Sequence, residues 1–201
     1  MKKKEIINLF NLKKEEIKNL DTFVFKITKT NSRINLVGKS TLVNPWERHM
    51  CDCLQISKII KNKNSTILDM GTGAGLPGLV LTILGYKKVI MVESKNKKSK
   101  FVEGIINELS LKSKIINARL EDLKLKPFDF IVSRALTSLD GLLNYSLLFS
   151  NQSTTLVFLK GRNVNKEIIE AKKYFFFDYT IIKSKSSNDG NIIKINNFMK
   201  K

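Results

Sequence analysis

The stretch that decides the fold is Thr66-Ile67-Leu68-Asp69-Met70-Gly71-Thr72-Gly73-Ala74-Gly75-Leu76-Pro77-Gly78. Its first five residues form a short apolar run of the length and composition of a buried strand. Closely spaced glycines follow, and then Pro77, which suits the first turn of a helix. A buried strand, a glycine-rich turn and a helix in this order are typical of the ligand-binding crossover of an open α/β sheet.

The segments that follow repeat this alternation of strand and helix. Strands are predicted at Thr66–Met70, Val89–Glu93, Lys114–Asn117, Phe128–Ser133 and Thr155–Lys160, and helices at Leu76–Leu84, Lys97–Leu109, Leu139–Phe149 and Val164–Tyr174. The alternation indicates an α/β fold with a mostly parallel, Rossmann-like sheet covered by helices on both faces. Two final strand-like segments, Asp178–Ser184 and Asn191–Phe198, have no helix between them, which predicts a C-terminal antiparallel hairpin.

The residues before the first strand have a helical pattern. Apolar residues recur at three- and four-residue spacing from Ile6 to Ile27, which predicts two amphipathic helices joined near Asn11. Asn44-Pro45-Trp46-Glu47 combines a helix cap, an initial proline and a carboxylate, so a third helix should run to about Ile60. We therefore expect one domain of 201 residues, with an N-terminal helical extension over 1–61 and a catalytic core over 62–201.

The composition is strongly basic, with a formal net charge of +18. Such a surface attracts polyphosphate partners, RNA or DNA above all, although a general bias toward Lys, Asn and Ile explains part of the charge. No segment has the roughly 20 apolar residues of a membrane span, and no cleavage site follows the basic start Met1–Glu5. We expect a soluble, cytoplasmic protein that binds no membrane and no metal, with Cys51 and Cys53 as packing residues.

Two ligands compete for the glycine-rich turn. The dinucleotide motif G-x-G-x-x-G needs a glycine where this chain has Leu76, so the spacing of Gly71 and Gly73 favours a ligand without a pyrophosphate. Asp69 would repel phosphates and suits the cationic methionine end of S-adenosylmethionine. Glu93, at the end of the second strand, is placed to accept hydrogen bonds from both ribose hydroxyls. S-adenosylmethionine is therefore favoured, and an NAD(P)-dependent Rossmann enzyme is the alternative.

Five motifs occur in one order along the chain: Asn35-Leu36-Val37-Gly38, Arg48-His49-Met50-Cys51-Asp52, the glycine-rich stretch through Leu76-Pro77-Gly78, Ser133-Arg134-Ala135 and Leu159-Lys160-Gly161. Together they resemble the bacterial 16S ribosomal RNA guanine-N7 methyltransferase family, also called glucose-inhibited division protein B. The resemblance runs from about Ile17 to Asn197. It implies a monomeric class I methyltransferase that uses S-adenosylmethionine to methylate one guanine in the decoding region of the small-subunit RNA.

The resemblance also implies which residues bind the cofactor: Gly71, Leu76, Leu120, Glu121 and Arg134. The residue pattern adds Gly73 and Glu93 to this set. The chain departs from the usual family pattern in having Cys53 in place of Ser, and in the longer acidic side chain of Glu93. Neither difference removes a hydrogen-bonding group that the cofactor requires.

Guanine N7 has a free lone pair, so its methylation requires no general base. In keeping with this, Ser133-Arg134-Ala135 stands where an exocyclic-amine methyltransferase has an Asn/Asp-Pro-Pro-aromatic turn and a cytosine-C5 enzyme a nucleophilic Cys. No catalytic group is therefore assigned, and Arg134 and His49 are candidates for positioning.

The helix around His49 predicts an ion pair between Arg48 and Asp52, four residues apart, and we interpret it as a cluster that holds this helix on the sheet. Arg48, Lys160 and Arg162 are candidates for contacts to 16S ribosomal RNA or the small ribosomal subunit. A ribosome assembly factor that binds S-adenosylmethionine without turnover is an alternative of another class. A small-molecule methyltransferase is disfavoured by the high positive charge.

Overall fold

The first strand of the glycine-rich stretch, β1 (Thr66–Met70), lies in the middle of a seven-stranded sheet. All its residues except Thr66 are buried, as expected for a strand that has helices on both faces. The computed structural model describes residues 1–201. The other strands are β2 (Lys88–Val92), β3 (Lys114–Ile116), β4 (Phe130–Arg134), β5 (Thr155–Lys160), β6 (Phe175–Lys183) and β7 (Asn191–Lys200).

The strand order is β3-β2-β1-β4-β5-β7-β6. Strands β1 to β5 pair in parallel, whereas β7 pairs antiparallel with both β5 and β6. The predicted α/β fold with a C-terminal antiparallel hairpin is therefore confirmed. Because β7 runs antiparallel to β5, with Asn191 opposite Lys160, the loop that joins β6 to β7 lies near the carboxyl end of β5.

The helices of the core connect the parallel strands, and their bounds are α4 (Gly78–Ile83), α5 (Asn96–Glu108), α6 (Leu139–Ser146) and α7 (Val164–Ala171). These bounds differ from the predicted ones by a few residues. Helix α4 begins two residues later than predicted because the glycine-rich turn extends as far as Pro77, which is its N-cap. Helix α6 ends at Ser146, and a 3-10 turn continues it to Phe149.

The extension contains α1 (Lys3–Phe10) and α2 (Lys14–Thr30), and the left-handed residue Asn11, with φ 50°, ends α1 at the predicted join. The third helix is not the regular α-helix that the capping pattern predicts. It consists of π-helical turns over Trp46–Cys51, a short α3 (Asp52–Leu54) and a 3-10 segment over Gln55–Lys58. Turns of this kind are frequent at functional sites, and here several groups of the segment point at one arginine of the sheet.

Apolar side chains cover both faces of the sheet. One cluster of 30 buried residues joins the extension, including Leu20 and Phe23, to α4, α5 and one face of the sheet. A second cluster of 18 residues packs α6 and α7 on the other face. Both cysteines are free and buried, as predicted for packing residues. No helix has the length and apolar content that a membrane span requires.

Candidate active site

Three glycines of the turn after β1 have positive φ values, 65° at Gly71, 60° at Gly73 and 91° at Gly75. A Cβ atom on Gly71 would lie 2.5 Å from Cδ1 of Leu136, and one on Gly75 would lie 2.3 Å from Cδ1 of Leu79. Internal packing therefore explains both glycines. A Cβ on Gly73 would meet only the Gly71 carbonyl oxygen, 4.0 Å away. The open space at Gly73 is where a ligand can approach the backbone.

The buried carboxylate of Asp69 holds this turn through hydrogen bonds. Its Oδ2 accepts hydrogen bonds from the Gly78 amide, at 2.7 Å, and from the Thr72 hydroxyl, while its buried Oδ1 has no partner. Burial raises the pKa of Asp69 to about 7, although both of these hydrogen bonds favour the charged form. The side chain lines no cavity at the turn. The expectation that Asp69 faces the cationic end of a ligand is therefore wrong, because the carboxylate is committed to holding the turn.

Glu93, directly after β2, faces the turn at the same sheet edge. Its Oε2 accepts a hydrogen bond from the Gly73 amide, at 2.9 Å, and its Oε1 accepts one from the Lys95 amide, at 2.8 Å. The residue is 7% exposed. Each carboxylate oxygen retains a lone pair, so Glu93 both tightens the turn and can accept hydrogen bonds from hydroxyl groups.

Two cavities meet at Gly71 and Glu93. The larger, about 470 Å³, which we call the turn cavity, lies between the glycine-rich turn, the 36–41 segment of the extension and the end of β4. The smaller, about 190 Å³, which we call the Leu120 cavity, lies beyond Glu93. The structure brings all seven predicted cofactor residues to these two cavities: Gly71, Gly73, Leu76, Glu93, Leu120, Glu121 and Arg134.

Arg134, the last residue of β4, lies at the edge of the turn cavity, and all three nitrogens of its guanidinium group donate hydrogen bonds. Its Nε donates to Oδ2 of Asp52 at 2.9 Å, its Nη1 to Nδ1 of His49 at 3.1 Å, and its Nη2 to the Arg48 carbonyl at 2.9 Å. The predicted Arg48–Asp52 ion pair is absent, because Asp52 pairs with Arg134 instead. A planar guanidinium fork can reach three acceptors in this way, which a lysine cannot do.

His49 is held in one neutral form. Because Arg134 can only donate, Nδ1 of His49 accepts, and Nε2 donates to the Thr41 hydroxyl at 2.9 Å. Thr41 in turn donates to the Gly38 carbonyl at 2.6 Å. Burial, with the positive charges of Arg134 and Arg48, lowers the pKa of His49 to about 3. His49 therefore connects Arg134 to one wall of the turn cavity, and it is not available as a base near neutral pH.

A third cavity, about 220 Å³, lies on the other side of Arg134 and Ala135, which it shares with the turn cavity. We call it the hairpin cavity because the loop between β6 and β7 forms one wall, opposite Arg48 and Asp52. Oδ1 of Asp52 accepts from the Ser186 hydroxyl at 2.9 Å. Sequence reasoning did not connect this loop with the site, because no spacing pattern marks a contact between residues so distant along the chain.

Gln55, on the same irregular helix as Asp52, also binds this loop. The Gln55 amide donates to the Ser184 hydroxyl at 3.0 Å, and its Oε1 accepts from the Lys185 amide at 2.8 Å. Two residues of this irregular helix therefore bind the hairpin loop, and three bind Arg134, with Asp52 in both groups. The spacing of a regular helix does not predict these contacts.

The three cations proposed to contact RNA have different surroundings. Lys160 lines the hairpin cavity, but its ammonium lies 2.5 Å from Oε2 of Glu167 and donates to the Thr137 carbonyl at 3.0 Å. Its side chain is only 8% exposed. Arg48 and Arg162 are exposed, and neither guanidinium has a hydrogen bond or an ion pair. Lys160 is thus placed to order the loop after β4, and the two arginines are the unpaired cations.

The strand order, the glycine-rich turn and Glu93 define the class I methyltransferase fold. A doubly wound dinucleotide domain has the strand order 3-2-1-4-5-6 without this hairpin, so the alternative NAD(P) enzyme is not supported. The family model GidB, described as rRNA small subunit methyltransferase G, matches residues 16–193. The chain belongs to this family.

Relatives and solved structures agree with that assignment. The chain is 36% identical over 186 residues to the ribosomal RNA small subunit methyltransferase G of Orientia tsutsugamushi (strain Ikeda), covering 92% of this chain and 93% of the relative. The protein of the same name from Rhodospirillum rubrum is 35% identical, with 90% of both chains covered.

Solved methyltransferases share the fold at low sequence identity. The ribosomal protein L11 methylase of Lactobacillus delbrueckii subsp. bulgaricus is 19% identical, with a TM-score of 0.60 over 73% of this chain and 76% of that chain. The glycopeptide N-methyltransferase MtfA, solved with S-adenosylmethionine, has a TM-score of 0.60 at 10% identity, covering 73% of this chain and 92% of that one.

Proposed function

We propose that this protein transfers a methyl group from S-adenosylmethionine to N7 of one guanine in 16S ribosomal RNA. One arrangement carries the proposal. Gly73 and Glu93 line the turn cavity, which forms a groove that ends at Arg134, and the hairpin cavity lies on the other side of that arginine. A donor in the groove and an acceptor base in the hairpin cavity would meet at the carboxyl end of β4. Family membership supports the choice of ribosomal RNA as the acceptor.

The residues of the groove fit S-adenosylmethionine. Gly73 leaves its backbone open, and Glu93 has oxygens able to accept from ribose hydroxyls at the junction of the turn and Leu120 cavities. The apolar side chain of Leu120, beside Glu121, suits the face and edge of an adenine. Arg134 and Leu76 lie at the other end of the groove, where the methionine part would lie.

The bound cofactor would supply a sulfonium methyl group, and its transfer to guanine N7 would form a nitrogen–carbon bond and break a sulfur–carbon bond without releasing a proton. The two basic groups in contact with Arg134 suit this chemistry because neither is free to take up a proton. Both ring nitrogens of His49 are hydrogen-bonded, and the Asp52 carboxylate is paired with Arg134. We propose that Arg134 and His49 act as positioning residues.

Contacts to the RNA are assigned to the cationic rim of the site. Arg48 lines the hairpin cavity and is unpaired, and Arg162 follows β5 at the same edge. Lys160 is a weaker candidate, since Glu167 already neutralises it. We propose that the extension, 1–61, and the core, 62–201, work as one unit, because Arg48, His49 and Asp52 complete a site built on the sheet. We also propose that the protein acts as a monomer in the cytoplasm.

The direct test is incubation of the purified protein with S-adenosylmethionine, labelled in its methyl group, and small ribosomal subunits or their naked RNA. We expect label in one guanine of 16S RNA. Its position can be located by primer extension after cleavage at 7-methylguanine, or by mass spectrometry of RNA fragments. Absence of label under conditions in which calorimetry shows cofactor binding would reject the enzyme. That outcome would favour the assembly factor that binds the cofactor without turnover.

A further inference from the structure

We infer that Asp189, in the loop between β6 and β7, recognises the acceptor guanine through its N1–H and N2–H groups. The inference rests on the proposed function and assigns a specificity residue for it. Asp189 lines the hairpin cavity, is exposed, and its carboxylate has no hydrogen bond or ion pair. It is therefore the one acidic side chain of that cavity whose acceptor capacity is unused, since Asp52 is occupied by Arg134 and Ser186.

The position of the cavity makes it the place for the acceptor base. Methyl transfer requires the acceptor atom to approach the donor methyl group in line, so the two cavities must adjoin. The hairpin cavity shares Arg134 and Ala135 with the turn cavity. Ala135 has a left-handed backbone, with φ 56°, which turns the chain away from the sheet at the boundary between the two cavities. The volume of the hairpin cavity, about 220 Å³, suits a single base.

The loop that carries Asp189 is held in place by two residues of the extension. Asp52 and Gln55 bind Ser186 and Ser184, as described above. A Cβ atom on Gly190 would lie 2.7 Å from Cβ of Ser184, so the close return of the chain after Asp189 requires glycine. The Gly190 amide donates to the Ser187 carbonyl at 3.1 Å. A carboxylate on a loop fixed in this way is preorganised for a ligand.

The chemistry of a carboxylate selects guanine among the bases. Guanine presents adjacent N–H donors at N1 and N2, and a carboxylate can accept from both, whereas adenine presents an acceptor at N1. This contact leaves N7 free on the opposite edge of the purine. Methylation at N7 places a positive charge on the base, and a nearby carboxylate stabilises that charge as it develops. Asp189 should therefore contribute to the choice of base and to the rate.

The unpaired cation of the cavity is compatible with this orientation. Arg48 can donate to O6 of the guanine or to its phosphate, which are acceptors that Asp189 cannot bind. Lys160 and Arg134 already have protein acceptors, so neither competes for Asp189. The cavity thus offers one free carboxylate and one free guanidinium.

The test compares Asp189→Asn with the wild type on small subunits reconstituted with either guanine or inosine at the methylated position. Inosine keeps N7, O6 and N1–H and lacks only the N2 amino group. We expect Asp189→Asn to lower kcat/KM on guanine by about 10- to 100-fold, the effect of losing hydrogen bonds to a charged acceptor. The wild type should prefer guanine to inosine by about tenfold or more, and Asp189→Asn should lose this preference.

Asn188→Ala is the matched control, since Asn188 is the adjacent exposed residue and does not line the cavity. It should keep both the rate and the preference for guanine, and all three proteins should bind S-adenosylmethionine equally in calorimetry. Full activity and an unchanged guanine preference in Asp189→Asn would overturn the inference, as would an equal loss in Asn188→Ala. If the wild type methylates no guanine at all, the proposed function itself fails, which is a separate result.

Discussion

The Nε atom of Arg134 donates to Oδ2 of Asp52 at 2.9 Å, and this ion pair joins the sheet to the extension at the boundary between the turn cavity and the hairpin cavity. The other carboxylate oxygen of Asp52 accepts from the hairpin loop. One carboxylate therefore orients the arginine at the edge of the turn cavity and fixes one wall of the proposed acceptor site.

Asp52→Asn tests this coupling. The amide loses the charge that holds Arg134, and one of its two ends can no longer accept a hydrogen bond. We expect the free energy of unfolding to fall by about 2 kcal/mol, since hydrogen bonds to charged groups are worth roughly 1.5–3 kcal/mol. Hydrogen exchange should increase in the loop 184–190. Asp178→Asn, in an exposed contact to Asn197, is the control. It should change neither the free energy of unfolding nor the hydrogen exchange of the loop 184–190. Unaltered exchange in Asp52→Asn would contradict the coupling.

Glu93→Gln tests the ribose contact. The variant has one acceptor oxygen in place of two, while Gly73 and Lys95 both donate to the native carboxylate. We expect affinity for S-adenosylmethionine to fall by about 10- to 100-fold in calorimetry, the cost of losing charge-assisted hydrogen bonds. Glu103→Gln, on the exposed side of α5, should bind normally. Equal affinity of the two variants would show that Glu93 has no role in binding.

Gly73→Ala tests the open space above the turn. The added methyl group meets no protein atom closer than 4.0 Å, so its effect on binding reports on the ligand. We expect cofactor affinity to fall at least about tenfold, with a stability loss of about 1–2 kcal/mol from the left-handed backbone. Gly104→Ala, inside α5 with nothing within 4 Å, should instead raise stability by about 1 kcal/mol and leave binding unchanged.

Arg48→Ala and Lys160→Ala should affect RNA binding differently. Removal of a phosphate contact lowers the slope of log K against log salt concentration by about one. We expect this for Arg48→Ala, because its guanidinium has no protein partner. Lys160→Ala should lower stability and methylation and leave the salt slope unchanged, because Glu167 and Thr137 already hold the ammonium. A reduced slope in Lys160→Ala would instead establish Lys160 as an RNA contact.

His49 should make the free energy of unfolding depend on pH. Burial and the nearby arginines lower its pKa from 6.5 to about 3, so the unfolded chain takes up a proton near pH 6.5 while the folded protein does not. The free energy of unfolding should therefore decrease by up to about 2 kcal/mol from pH 7 to pH 5. His49→Gln should lack this decrease in urea titrations. Asp69, whose raised pKa acts in the opposite direction, is present in both proteins and cancels in the comparison. Parallel profiles would contradict the neutral form of His49.

The amino-acid sequence by itself determined the order of the elements and the sheet edge at which the glycine-rich turn and Glu93 meet. The alternation of apolar runs and helical segments reflects local burial, and strand β5 was predicted at its observed bounds, Thr155–Lys160. Gly73 and Glu93 were identified because a crossover turn and the end of the next strand meet at the same edge in any sheet of this kind. Such features depend on spacing along the chain, which the sequence states directly.

Only the tertiary structure decided which side chains meet at the boundary of the groove. Arg134 pairs with Asp52 across 82 residues of chain, and Asp52 reaches Ser186 across 134. The helical spacing of Arg48 and Asp52 predicted an ion pair between these two residues. Spacing along a helix carries no information about a competing cation on a distant strand. The burial of Lys160 and the unused carboxylate of Asp189 likewise follow from how the hairpin packs beside β5, which no local pattern encodes.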